Sequence, residues 1–183
     1  MDNGACSYRR FLDGDESAFD ELMEELFHGL VFFIDRYVHD IHTAEDIAID
    51  VFSDLIVHRH RYNFKVSLKT YLYMIGRSRA LDYIKHRKVI DFVELSDTTT
   101  AADEITVLEE MVLADQRKRQ VNTALAQLPE DMRMVVHLIY FEGMTYKEAG
   151  KVMKKNRKQV DNLLYRAKKE LRIILGKDGE LLL

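Results

Sequence analysis

The sequence predicts an all-α protein built as two small helical domains joined by an acidic linker. Glycine is scarce at 8 residues in 183 and proline is nearly absent at 1, a balance that favours helices and leaves few turn signals for sheets. Apolar residues recur at steps of three and four through the candidate elements, the period of a helix that buries one face. Charge, finally, changes sign twice along the chain, and each change marks a boundary.

From Arg59 to Lys88 nine basic residues, Arg59, Arg61, Lys65, Lys69, Arg77, Arg79, Lys85, Arg87 and Lys88, are opposed only by Asp82. From Asp91 to Gln116 eight acidic residues occur with no Lys or Arg, and the Ser96–Ala102 centre reads as a flexible linker. From Arg117 onward basic residues dominate again, most densely between Lys147 and Arg172. The net charge of -4 therefore hides two basic modules and one acidic tether. The domains are placed at 14–88 and 117–176, with the linker at 89–116, and the 47% hydrophobic content is enough to fill their cores.

In the first domain, Phe19, Leu22, Met23, Leu26, Leu30, Phe33, Ile34 and Tyr37 share one helical face. A second helix is expected to start at Thr43, capped by its hydroxyl with Asp46 three residues on; Ile47, Val51 and Leu55 line its inner side. A third starts at about Ser67 and carries Leu68, Tyr71, Leu72 and Ile75. In the second domain, Pro129 fits the first turn of a helix with Met132, Val135, Val136, Ile139 and Tyr140, and Gly143 ends it. Thr145-Tyr-Lys-Glu148 is a capping box opening a short helix through Met153, and Asn156-Arg-Lys-Gln159 repeats the same chemistry for another. Two helices about three residues apart make a helix-turn-helix.

In the last helix Val160, Leu163, Leu164, Ala167, Leu171 and Ile174 form the inner face. Lys158, Asn162, Tyr165 and Lys169 project from the opposite one, with Arg166 at its edge. The N-terminal part of such a helix lies in the major groove, so Arg157, Lys158, Gln159, Asn162 and Arg166 are the candidates for base edges, while Lys168, Lys169 and Arg172 suit phosphates. A basic amphipathic helix can equally be a solvated surface; the two adjacent capping boxes favour DNA. The first basic stripe interleaves Tyr62, Phe64, Tyr71, Tyr73 and Tyr83, a mixture suited to single-stranded DNA, although aromatics at helical spacing, Tyr71 and Tyr73 among them, also suit a core.

Cys6 is the only cysteine, so no intramolecular disulfide can form and a reducing, cytoplasmic setting is expected. Residues 1–10 lack the apolar stretch of a secretory signal, and no run reaches the ~18 apolar residues that span a bilayer. His58 and His60 diverge on a helix, and His39 and His42 lack an obvious third ligand, so no metal is expected. No nucleophile–base arrangement or phosphate loop is present, so neither catalysis nor a cofactor is expected.

Several segments in order, 44–52 (AEDIAIDVF), 68–77 (LKTYLYMIGR), 80–84 (ALDYI), 128–133 (LPEDMR) and 146–171, resemble successive signatures of the extracytoplasmic-function sigma factors of bacterial RNA polymerase. The resemblance implies a region 2-like bundle and a region 4-like helix-turn-helix. It gives Glu45, Asp46, Asp50 and Phe52 the contact with the clamp helices of the largest polymerase subunit. Recognition and opening of the minus-ten element fall to Arg77, Ser78, Arg79, Asp82, Tyr83, Lys85 and Arg87. Reading of the minus-thirty-five element, with packing on the polymerase flap, falls to Arg157, Lys158, Gln159, Asn162, Tyr165, Arg166 and Lys169. It further implies promoter DNA and core polymerase as partners, with an anti-sigma factor as a regulator. The chain departs from the family pattern at Tyr71, where Trp is frequent, at Ser78, where Asn is frequent, at Ala149-Gly150 and at Lys154-Lys155. Two other readings stay open: a helix-turn-helix regulator that binds operator DNA without polymerase, and a sigma-like adaptor that binds polymerase without reading promoters.

Overall fold

The computed structural model describes residues 3–93 and 121–175. The described residues are helical with no strand. The elements are α1 (Asn3–Leu12), α2 (Ser17–Val38), α3 (Ile41–Val57), α4 (Leu68–Val93), α5 (121–127), α6 (Glu130–Val136) continued by a π-helical turn (His137–Phe141), α7 (Tyr146–Met153) and α8 (Arg157–Leu175). Most of the acidic linker, residues 94–116, lies outside the described residues, as do 117–120 and 176 of the second domain.

The first domain is a bundle of α1 to α4. Leu22, Leu26, Leu30, Phe33, Ile34 and Tyr37 of α2 are buried as their spacing requires, and Ile47, Val51 and Leu55 of α3 meet them with Leu68 and Leu72 of α4. Three details differ from expectation. Helix α3 starts earlier than Thr43: Asp40 is its cap and accepts a hydrogen bond from the Thr43 backbone N–H at 3.3 Å, so Thr43 sits at the third helical position. Its carboxylate outcompetes the hydroxyl as a cap acceptor. Helix α4 is opened by Ser67, whose hydroxyl accepts from Thr70 N–H at 3.2 Å, and it continues past 88 to Val93, into the span expected as linker. The bundle also begins before residue 14. Tyr8 and Phe11 of α1 are buried, and the Tyr8 hydroxyl donates to the carbonyls of Leu55 and Arg59, each at 3.0 Å.

The second domain packs α6 and α7 on α8, with Val160, Leu164, Ala167 and Leu171 buried. Both capping boxes form. Thr145 accepts from Glu148 N–H while Glu148 accepts from Thr145 N–H at 2.9 Å, and Asn156 and Gln159 bond reciprocally at 2.8 and 2.9 Å. The turn between them is tight: Lys155 N–H donates to Gly150 O at 2.8 Å and Lys154 takes a left-handed φ of 56°. A Cβ on Gly150 would lie 2.6 Å from the Lys155 carbonyl oxygen, which explains glycine there.

The two domains are docked on each other. Helix α4 lies against α7, and the π-helical turn reaches toward α2 and α4, so both domains contribute to one continuous core.

Candidate DNA and polymerase surfaces

On α3, a helix that buries every third or fourth residue leaves Glu45, Asp46 and Asp50 exposed on its outer side. Phe52 does not join them. It is only 2% exposed and packs edge-on against Phe19 at 6.1 Å and against Phe27 at 6.0 Å, so it belongs to the core. The exposed large apolar residues of α3 are instead Ile41, Ile49, Ile56 and Val57. An outward Phe52 would have required giving up the most apolar position in its turn, a choice that sequence spacing alone left ambiguous.

Helix α4 places Ser78, Asp82, Lys85 and Arg87 in solvent and leaves Arg77, Arg79 and Tyr83 half-buried. Arg79 is already committed. It reaches back to α3, pairing with Asp50 at 3.2 Å and with Asp54, and this pairing holds the Asp54 carboxyl below the usual range against the opposing effect of burial. A minus-ten candidate and a polymerase candidate, Arg79 and Asp50, are thus bonded to each other. The interleaved aromatics partly turn inward: Tyr62, itself buried, meets Phe64 at 4.6 Å and Tyr71 at 5.1 Å with tilted rings, Tyr73 is fully buried, and Phe64, Tyr71 and Tyr83 are half-buried. Of the five, Tyr62 and Tyr73 therefore belong to the core, and Phe64, Tyr71 and Tyr83 keep part of their surface exposed.

On α8 the arrangement is simpler. Arg157, Lys158, Gln159, Asn162, Tyr165, Arg166 and Lys169 all face solvent, Tyr165 at 71% exposure. Gln159 is the exception in availability, since its amide oxygen is held by the Asn156 backbone as half of the cap. Its neighbours remain free to present two- and three-donor groups outward. Docking of the domains does not cover this face.

A polar cluster lies where the domains meet. Glu142, at the end of the π-helical turn, is 9% exposed; Lys69 of α4 pairs with its carboxylate at 2.7 Å and donates to its backbone carbonyl at 2.9 Å. His137 Nε2 lies 3.2 Å from the other carboxylate oxygen, at an angle short of a well-formed hydrogen bond, and the Tyr73 hydroxyl faces the same space. Burial alone would push the Glu142 carboxyl up; the contacts with His137, Lys69 and Tyr73 together outweigh it and hold it at about 2. The same burial pushes His137 down and Tyr73 up. Spacing marks Lys69 and Tyr73 but not their meeting with Glu142 and His137, because a single Glu before Gly143 reads as an ordinary helix end.

Among the described residues no group of three His, Cys, Asp or Glu side chains is placed to hold a metal ion, and no helix is long and apolar enough to cross a membrane. Residues 22–89 match the sigma-70 region 2 family and residues 118–171 match sigma-70, region 4. The chain is 30% identical over 142 residues to the RNA polymerase sigma factor CarQ of Myxococcus xanthus, covering 77% of this chain and 79% of that one. It is 29% identical over 168 residues to the RNA polymerase sigma-H factor of Pseudomonas aeruginosa, with 86% of each covered. Its fold is similar, at a TM-score of 0.66 and 20% identity over 87% of this chain and 98% of the other, to the sigma factor RpoE of Bartonella quintana solved with the anti-sigma factor NepR.

Proposed function

Because the chain belongs to the extracytoplasmic-function type of RNA polymerase sigma factors, proteins that bind core polymerase and direct promoter-specific initiation, we propose how it divides that work between its surfaces. The acidic outer face of α3, Glu45, Asp46 and Asp50 with Ile49 and Ile56 between them, docks on the polymerase clamp helices. The outer part of α4, the exposed Ser78, Asp82, Lys85 and Arg87 with the half-buried Tyr83, meets the minus-ten element, where trapping an unpaired base offsets an unstacking cost of roughly a few kcal/mol. Helix α8 reads the minus-thirty-five element through Arg157, Lys158, Asn162 and Arg166, with Tyr165 and Lys169 beside the backbone. The chain works in the cytoplasm, does no catalysis of its own, and is restrained by an anti-sigma factor.

One observation supports this division above the others: an exposed carboxylate row and an exposed basic row stand on different domains. Two modules held by one enzyme act at each other's high effective concentration. Reconstitution tests it. Purified chain and core polymerase should form a holoenzyme that initiates on promoters of the source genome, and Asp46→Arg should abolish holoenzyme formation with helicity intact. No complex at micromolar concentration would overturn the reading.

A further inference from the structure

A cleft of about 430 Å³ opens between the first domain and α7, within the size range of small-molecule sites, about 300–1,000 Å³. Cations from three separate parts of the chain line it: Arg9 of α1, Lys65 of the loop between α3 and α4, and Lys147 and Lys151 of α7. The two α7 lysines stand one helical turn apart on one face, a like-charge spacing that costs stability unless an anion lies between them. None of the four is paired with a carboxylate among the described contacts. Glu148 is the one acid in the wall, and it is already engaged. Its carboxylate accepts from the Thr145 N–H at 2.9 Å, from the Thr145 hydroxyl at 2.7 Å and from the Ser67 hydroxyl at 3.1 Å. Four cations against one carboxylate leave three positive charges uncompensated in one small opening.

The wall is held in shape before any ligand arrives. Phe64 takes a left-handed φ of 60°, which a bulky residue rarely adopts and keeps only where its surroundings fix it. The Tyr62 ring lies 4.6 Å from it, and the Arg9 guanidinium sits 4.8 Å from the ring centre, over its face. Tyr62 in turn donates its hydroxyl to the Val66 carbonyl at 2.6 Å, closing the loop on itself. A guanidinium laid on an aromatic ring keeps its charge and its outer face for a planar ligand group. Side chains positioned in advance lose less freedom on binding than mobile ones.

We propose that this cleft binds a chain of two or three phosphates, carried by a nucleoside or inorganic, with Lys65, Lys147 and Lys151 on the phosphates and Arg9 beside them. The site goes beyond the sigma-factor reading and does not depend on it. A nucleic-acid strand spreads single charges along its backbone and is met by a groove that tracks it. Cations converging from two domains on one opening suit charges on adjacent phosphates instead.

Titration calorimetry of the full chain tests this with three probes in magnesium-free buffer: sodium triphosphate, adenosine triphosphate and guanosine triphosphate. Saturable binding is expected, weaker as salt is raised. A nucleotide that binds about tenfold more tightly than triphosphate, a difference of about 1.4 kcal/mol, identifies the nucleoside as part of the ligand; equal affinities identify the phosphate chain alone, and either supports the site. Lys147→Gln combined with Lys151→Gln should weaken binding about tenfold or more, the scale of a lost charge-assisted contact. Lys65→Gln should weaken it too, and decides the matter if the double variant loses helicity. Lys154→Gln removes an exposed cation that does not line the cleft and should leave the affinity unchanged. Three results would each overturn the proposal while leaving the family assignment untouched: no binding of any probe at millimolar concentration, an equal loss in Lys154→Gln, or binding of a short single-stranded oligonucleotide that the same lysines govern and triphosphate does not displace.

Discussion

Helices α4 and α8 carry the same number of Lys and Arg residues, six each, yet they hold their charge in different conditions. On α8 Arg157, Lys158, Arg166 and Lys169 face water with no carboxylate partner among the described contacts, and only Lys168 turns aside, over the Tyr140 ring at 5.3 Å. On α4, Arg79 is bonded to Asp50 and Asp54, and Lys69 to Glu142. One helix displays its charge for a ligand; the other spends part of it holding α3 and the second domain in place. A count of Lys and Arg along a sequence measures neither role.

The contrast can be broken most severely at the turn that presents α8. Gly150→Val drives a side chain into the Lys155 carbonyl, and overpacking of this kind costs typically 1–3 kcal/mol or more. We expect loss of the α7–α8 unit and of duplex binding, read by circular dichroism and by promoter gel shift, while polymerase still binds through α3. If the variant keeps its DNA affinity, the two helices are less separable than their contacts indicate.

Acid should loosen the docked domains next. The folded-state carboxyl of Glu142 is depressed to about 2 from an ordinary 4.5, so its contribution is complete above about 4.5 and is lost as pH falls toward 2. It amounts to roughly 3 kcal/mol at most. His137 acts in the same direction earlier: its imidazole is depressed by burial, so the unfolded state takes up a proton first as pH drops below 6.5. Denaturant midpoints measured from pH 7 to 3 should therefore decline in two stages, and Glu142→Gln should shrink the lower one, to which depressed carboxyls such as Asp54 also contribute.

Smaller effects sharpen the comparison. Arg166→Ala should leave the unfolding midpoint unchanged and cost about 1–3 kcal/mol of base discrimination at one promoter position, measured by competition among single-base variants. Arg79→Ala should do the reverse in part, lowering the stability of the first domain by about 1 kcal/mol in urea, since it leaves Asp50 and Asp54 facing each other without their cation. Equal stability losses in the two variants would erase the distinction between displayed and committed charge.

The elements of this fold were legible where one physical rule governed them. Helical periodicity located the inner faces of α2, α3 and α8, and cap chemistry located both ends of the helix-turn-helix, because those signals are local and strong. Phe52 was misplaced because a large apolar residue beside an acidic row is compatible with either face until α2 is packed against it. Gln159 forms the cap that the Asn156-Arg-Lys-Gln159 pattern predicts and still faces solvent. The Lys69–Glu142–His137 cluster was invisible because its members are 68 or more residues apart in part and belong to different domains; only tertiary docking brings them together. Helix α1 was missed because Tyr8 and Phe11 are too short a pattern to stand out from a terminal segment.

That short helix has a practical bearing. The Tyr8 hydroxyl occupies the carbonyls of Leu55, in the last turn of α3, and of Arg59 just beyond it, which would otherwise turn to solvent. A truncated version starting at Gly14, the boundary that hydrophobic patterning suggests, would strip that bolt along with Phe11 from the bundle. Fragments made for binding studies should keep the first thirteen residues, and a weak result from a shorter one would speak of a frayed helix end rather than of the partner.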